Sequence, residues 1–240
     1  MTKKSYVFAR KPNISLPTVI KGDGVYLIDS NGKKYLDASG GAAVSCLGHN
    51  PKPVINAVIQ QLNEFAYAHT TFFTSEPAEA LAEELIRHSN YQLDKVYFVS
   101  GGSEAVEAAL KLARQYHLEN EQPQRINIIG RKQSYHGNTL GALAAGGNVA
   151  RQLPFRPLLG NVFHHIDPCH YWRWGFDEET MLEYGERTAR QLETKILELG
   201  SETVAAFIAE PIVGATMGAV PATSGYFKKI RQICDKYGAD

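Results

Sequence analysis

Two short segments carry residue types whose spacing could do chemistry. Ser100-Gly101-Gly102-Ser103-Glu104-Ala105 joins an apolar run, Val96 to Val99, to a helical pattern that begins at Ser103. The first turn of a helix has unpaired N–H groups and the positive end of the dipole. Glycine lets backbone come close to an anion, and a serine hydroxyl adds a donor. The segment could cradle a phosphate; the same composition also suits a plain tight turn with a serine N-cap. It has neither the G-x-G-x-x-G of a dinucleotide site nor the G-K-S/T of a P-loop.

The second segment is Ser134-Tyr135-His136-Gly137-Asn138-Thr139, which follows the apolar run Ile126 to Ile129. Tyr135 could lie flat against a planar heteroaromatic ring by offset stacking. His136 could hydrogen-bond or tune nearby charge, and Gly137 would leave room for the ring. An exposed Tyr-His turn explains the same residues. A third candidate, Glu210, ends the apolar run Val204 to Ala209, and open α/β sheets bind ligands at the carboxyl ends of their strands. A solvated strand-end carboxylate is the simpler alternative there.

These residues must be held by regular elements. Two strand patterns around 18–36 flank Asn31-Gly32, a hairpin signal. A small, flexible stretch follows, Ser39 to Gly48. Helices are expected from Pro53 to Ala66, with Val54, Ala57, Val58 and Leu62 on one face, and from Pro77 to His88. Val96–Val99 reads as a short buried strand. A helix then runs from Ser103 to Leu118 with Val106, Ala109, Leu110 and Ala113 toward the core. Strands at Ile126–Ile129 and Val204–Ala209 alternate with helices at Asp177–Leu199 and Thr223–Tyr237. That alternation predicts an α/β fold with a mostly parallel sheet flanked by helices, preceded by a small N-terminal α+β segment. Lys236 to Asp240 reads as a helix end entering a new strand, which leaves the sheet unfinished.

Composition bounds the rest. The 240 residues contain 44% hydrophobic and 21% charged residues, as in ordinary globular proteins. Lys plus Arg and Asp plus Glu number 25 each, so no general attraction to nucleic acid or an anionic membrane is expected. Cys46, Cys169 and Cys234 lack paired spacing and read as free thiols. The basic start has no apolar h-region, Pro12 and Pro17 interrupt any long amphipathic helix, and no apolar run approaches the roughly 20 residues of a bilayer span. A cytoplasmic location is expected. His164-His165-Ile166-Asp167-Pro168-Cys169-His170 has metal-ligand residue types but no standard zinc spacing, and reads as a polar surface loop with no metal. The acidic and basic residues between Glu178 and Arg190 read as a solvated helix face.

Three segments in order carry a resemblance: Val99 through Arg114, Ser134 through Thr139, and Ala209-Glu210-Pro211-Ile212-Val213-Gly214. Together they resemble the signatures of class III pyridoxal-phosphate-dependent aminotransferases, fold-type I enzymes that include the ω-amino-acid transaminases. Tyr35-Leu36-Asp37 and Gly48-His49-Asn50 match as well. The resemblance covers nearly the whole chain and implies residues 1–60 as the N-terminal part of a small domain and 61–240 as an incomplete large domain that binds the cofactor. It implies that Gly102 and Ser103 hold the cofactor phosphate, that Tyr135 stacks on its ring beside His136 and Gly137, and that Glu210 lies close to cofactor and substrate. Small residues at Ala42, Ala43 and Val44, and the Phe72-Phe73-Thr74 loop, would line the substrate pocket or a dimer interface, Ala43 and Phe73 foremost. The implied activity is transfer of an amino group from an amine or ω-amino acid to a keto acid, pyruvate or 2-oxoglutarate, by a homodimer. The aspartate that pairs with the pyridinium nitrogen and the Schiff-base lysine are both expected beyond Asp240, so the 240-residue chain is expected to be inactive alone. A truncated pseudoenzyme and a phosphate-binding α/β module without catalysis are the alternatives.

Overall fold

The computed structural model describes residues 5–11 and 13–240. Residues 1–4 of the basic start and Pro12 lie outside the described residues, as does the side chain of Ala42. The chain forms two units, one up to Val96 and one from Tyr97 to Asp240.

The first unit opens with an antiparallel sheet of β1 (Val19–Asp23), β2 (Tyr26–Asp29) and β3 (Lys34–Leu36), in that order. The expected hairpin is β2–β3. Its turn closes on Asp29, whose buried carboxylate accepts from the Asn31 and Lys33 amides at 2.9 and 3.0 Å and from the Tyr35 hydroxyl at 2.9 Å. Gly32 supplies the left-handed residue the turn requires, at φ +77°. The short helix α1 (Gly40–Ala43) follows, then α2 (Lys52–Glu64) and α3 (Glu76–His88), and these last two have proline in the first turn. The apolar face expected on α2 exists as a stripe but is not buried: Val54, Val58 and Leu62 are exposed, because nothing in this unit covers them. Asp37 explains why Tyr35-Leu36-Asp37 and Gly48-His49-Asn50 occur together. Its carboxylate accepts from the Ser45 hydroxyl at 2.7 Å and the Gly40 amide at 3.0 Å, and pairs with His49 Nε2 at 2.9 Å, which pins both ends of the small-residue stretch.

The second unit begins with α4 (Gly102–Glu119), then β4 (Asn127–Arg131), α5 (Leu140–Ala145), α6 (Val149–Gln152), β5 (Phe163–Ile166), α7 (Tyr171–Trp174), α8 (Met181–Leu199), β6 (Val204–Phe207), the β7–β8 hairpin (Ile212–Val213 with Val220–Pro221) and α9 (Tyr226–Tyr237). β4 is the centre of a parallel sheet ordered β5-β4-β6. Ile129, Ile166 and Val204 from these strands pack against Tyr184, Ala189, Leu192 and Ile196 of α8 and Tyr226, Ile230 and Ile233 of α9. The α8 positions recur at helical spacing and build one apolar stripe.

Several expectations are corrected. Val96–Val99 is not a buried strand: it pairs with no strand of the described sheets, and Tyr97 is 80% exposed. An apolar run becomes a buried parallel strand only between neighbours on the sheet. Ala109 of α4 is exposed, because α5 and β6 meet the other side of that helix. The His164–His170 segment is not all loop. Phe163–Ile166 is the edge strand β5, where alternation sends His164 Nε2 to Asn127 Oδ1 and His165 Nε2 to the Ala145 carbonyl. α8 starts at Met181 rather than Asp177, since Thr180 and Glu183 form a reciprocal capping box. α9 starts at Tyr226 because Gly225 is left-handed at φ +81°.

If the α8 stripe carries the core, Leu192→Ala at a fully buried position will cost about 2–5 kcal/mol in urea denaturation. Leu197→Ala, on the exposed face of the same helix, will stay within about 0.5 kcal/mol of the parent.

Candidate cofactor site

The carboxyl ends of β4 and β6 and the amino end of α4 converge, and each of the three motif segments leaves from one of them. α4 starts at Gly102 with Gly101 as N-cap, and no side chain caps it. Ser103 therefore lies inside the first turn and is not the cap, which removes the plain N-cap explanation. A Cβ added at Gly102 would meet nothing within 4 Å, so that side of the first turn is open, whereas one added at Gly101 would meet Glu104 Oε2 at 2.8 Å. Glu104 in the same turn also complements the helix dipole.

The aromatic segment lies directly against this turn. The Asn138 amide donates to Ser103 Oγ at 3.1 Å, and Ser103 Oγ donates to Asn138 Oδ1 at 3.0 Å. Gly137 is extended on the positive side, at φ +143°, and a Cβ there would fall 2.6 Å from Ser103 Oγ and 2.9 Å from Ala142 Cβ. Glycine is thus required at 137 by conformation and by space. The Ser103 hydroxyl, expected as an anion donor, spends its hydrogen on Asn138; the open donors are the backbone amides.

Glu210 joins the third segment to the second. Its Oε2 accepts from the Tyr135 amide at 3.1 Å and its Oε1 from the Gly214 amide at 3.3 Å. It is therefore a structured acceptor between two turns and not a free strand-end carboxylate. Arg131, at the end of β4, is fully buried and donates through Nη2 to the Glu210 carbonyl, with its guanidinium 5.7 and 5.8 Å from the Tyr226 and Phe227 ring centres. The Tyr135 ring is 42% exposed, with the Arg151 guanidinium 4.8 Å from its centre.

His136 Nε2 is buried without a hydrogen-bond partner. Burial, with the charges of Arg131 and His165 beside it, pushes the His136 imidazole down to about 4, so it is neutral near pH 7. The backbone amides at Gly102 and Ser103, the exposed Tyr135 ring, the Cβ-free space at Gly137 and a neutral imidazole fit a phosphorylated aromatic cofactor. Gly102, Ser103, Tyr135, His136, Gly137 and Glu210 are all brought together in this unit. Ala43 and Phe73 belong to the first unit. Ala43 is exposed at a left-handed φ of +68°, and Phe73 is 65% exposed in the loop before α3.

Sequence reasoning passed over Glu107, Arg131 and Asn138. Glu107 is four residues after Ser103, hence on the same helical face. Arg131 is a cation at the end of an apolar strand, followed directly by Lys132, and of the two only Arg131 is buried.

The family profile for class III aminotransferases matches residues 7–239. The chain belongs to the class III aminotransferases. An uncharacterized aminotransferase of Schizosaccharomyces pombe is 45% identical over 236 residues, 98% of this chain and 51% of that protein. Among solved structures, an omega-aminotransferase from Paracoccus denitrificans superposes with a TM-score of 0.89 at 32% identity, covering 99% of this chain and 53% of the other. The PMP-bound form of an aminotransferase from Vibrio fluvialis gives 0.88 at 33% identity over 99% and 53%. The class III chain described here thus has the fold-type I architecture and spans about half the length of the curated relatives it matches.

The depressed histidines give a pH dependence with a definite sign. In the unfolded chain His136 takes a proton below about pH 6.5, whereas the folded protein resists it down to about 4. Its contribution to stability is complete above the first value and is lost as pH falls toward the second. His164, His165 and His170 are lowered by burial in the same direction. Urea midpoints measured across this range will fall with pH, and His136→Gln will flatten the slope.

Proposed function

We propose that the protein to which these residues belong transfers an amino group from an amine or ω-amino acid to a keto acid, pyruvate or 2-oxoglutarate, with pyridoxal 5'-phosphate as cofactor. The observation that carries this reading is the seating of Gly137 and Asn138 against Ser103, which sets an aromatic ring and a set of helix-terminal amides in one place. The names of the structural neighbours, an omega-aminotransferase and a PMP-bound aminotransferase, support the donor class and the cofactor.

On this reading the amides of Gly102 and Ser103 hold the cofactor phosphate at the positive end of α4. The Tyr135 ring supports one face of the pyridine. Glu210 orients the Tyr135 backbone, and Arg131 holds Glu210 from beneath. His136 stays neutral and adds no charge beside the ring. When bound, the cofactor supplies the electron sink for the carbon that carries the amino group. Ala43 and Phe73 are assigned to substrate lining. The lysine that anchors the cofactor covalently is expected outside these 240 residues.

Full-length protein loaded with pyridoxal phosphate will transaminate pyruvate or 2-oxoglutarate from at least one member of a panel of ω-amino acids and simple amines. The 240-residue chain assayed alone will show no turnover; detectable turnover would refute the placement of the anchoring lysine. Tyr135→Ala in the full-length protein will weaken pyridoxamine phosphate retention about 2- to 10-fold, the range of one stacking contact.

A further inference from the structure

Glu107 is a partly buried carboxylate on α4, one turn beyond Ser103. Its Oε1 accepts from the Ala142 amide at 3.0 Å. A Cβ added at Gly141 would lie 2.5 Å from its Oε2, so the carboxylate is also packed on the Gly141 backbone. α5 begins at Leu140 after Thr139, and Thr139 makes no side-chain cap bond to its own helix. The amides that open α5 are therefore served by a carboxylate from another helix. Ser103 and Glu107, on one face of α4, together hold the segment from Gly137 to Ala142 at two points one turn apart.

We propose that Glu107 is a positioning residue of this site, the second of two attachments that fix the Tyr135-His136-Gly137 turn relative to the first-turn amides of α4. Glu210 holds the segment at Tyr135, but on α4 itself Ser103 alone would be a single attachment about which the segment could pivot. A carboxylate one turn away removes that freedom, and its charge is matched to the amide end of α5. Burial raises the Glu107 carboxyl, but hydrogen bonds from the 139–142 segment and the positive charge of Lys111 outweigh it and hold the group below the usual range. The charged form is thus the one the fold uses. This inference rests on the cofactor reading above for its functional meaning, though the attachment itself is independent of any ligand.

The test uses the full-length protein, first without cofactor and then with pyridoxamine phosphate. Glu107→Ala is expected to speed amide hydrogen exchange at Gly141 and Ala142 by about tenfold or more, the loss of one charge-assisted hydrogen bond, while β4 and α8 amides keep their protection. Glu107→Gln, which keeps shape and one acceptor oxygen, is expected to fall between Ala and the parent and guards against a variant that does not fold. In both variants the dissociation constant for pyridoxamine phosphate should rise in the same order as the exchange rates. Unchanged exchange at Gly141 and Ala142 in Glu107→Ala overturns the proposal, and so does acceleration spread equally through β4 and α8. Faster local exchange with unchanged pyridoxamine phosphate affinity also overturns it, because the attachment would then position nothing. A parent protein that binds no pyridoxamine phosphate refutes the cofactor reading instead, and the positioning role toward the cofactor falls with it.

Discussion

The contact between Gly137 and Ser103 is the constraint on which the rest of the site depends. Only a residue without a Cβ lets the chain leaving β4 lie flat on the first turn of α4, and only that approach brings the Asn138 amide within reach of Ser103 Oγ. Once the two are in contact, the turn that carries Tyr135 lies beside the first turn of α4. The segments concerned lie about 35 residues apart in sequence, as the Ser103–Asn138 bond records. Closing such a loop costs conformational entropy, and the cost is offset by several modest hydrogen bonds acting together rather than by one strong one.

Around this contact the side chains act mainly as tethers for backbone. Glu210 accepts from Tyr135 and Gly214, Glu107 from Ala142, and Arg131 donates to the Glu210 carbonyl. Carboxylates and a guanidinium are suited to this work, because charge-assisted hydrogen bonds are stronger than neutral ones and buried backbone groups need partners. The donors left over are the uncapped amides at Gly102 and Ser103. On the proposed reading, these are the groups that would hold the cofactor phosphate.

Much of this was legible from residue types. The β2–β3 hairpin follows from Asn31-Gly32, α4 from its apolar periodicity, and the parallel sheet from strands alternating with long helices. What escaped has physical reasons. β5 contains two histidines and so lacks an apolar signature; it is a strand because β4 offers it an edge. Val96–Val99 has the signature and lacks the neighbour. The start of α8 at Met181 is decided by a reciprocal pair of side-chain bonds between Thr180 and Glu183, a detail that periodicity does not resolve.

By itself the sequence determined which chemistry was available: a Gly-Gly-Ser helix start, a Tyr-His-Gly turn and a glutamate at a strand end, in an order that resembles one family. Those are properties of local composition and spacing. Only the tertiary structure decided how the parts are used. It brought Ser103 to Asn138, which occupies the hydroxyl and leaves the first-turn backbone amides of α4 without a side-chain partner. It buried the Nε2 of a half-buried His136 near the charge of Arg131 and so keeps the imidazole neutral. It also turned Glu107 and Glu210 into acceptors for distant backbone. Partnerships of this kind depend on distances between residues far apart along the chain, and no local pattern encodes a distance.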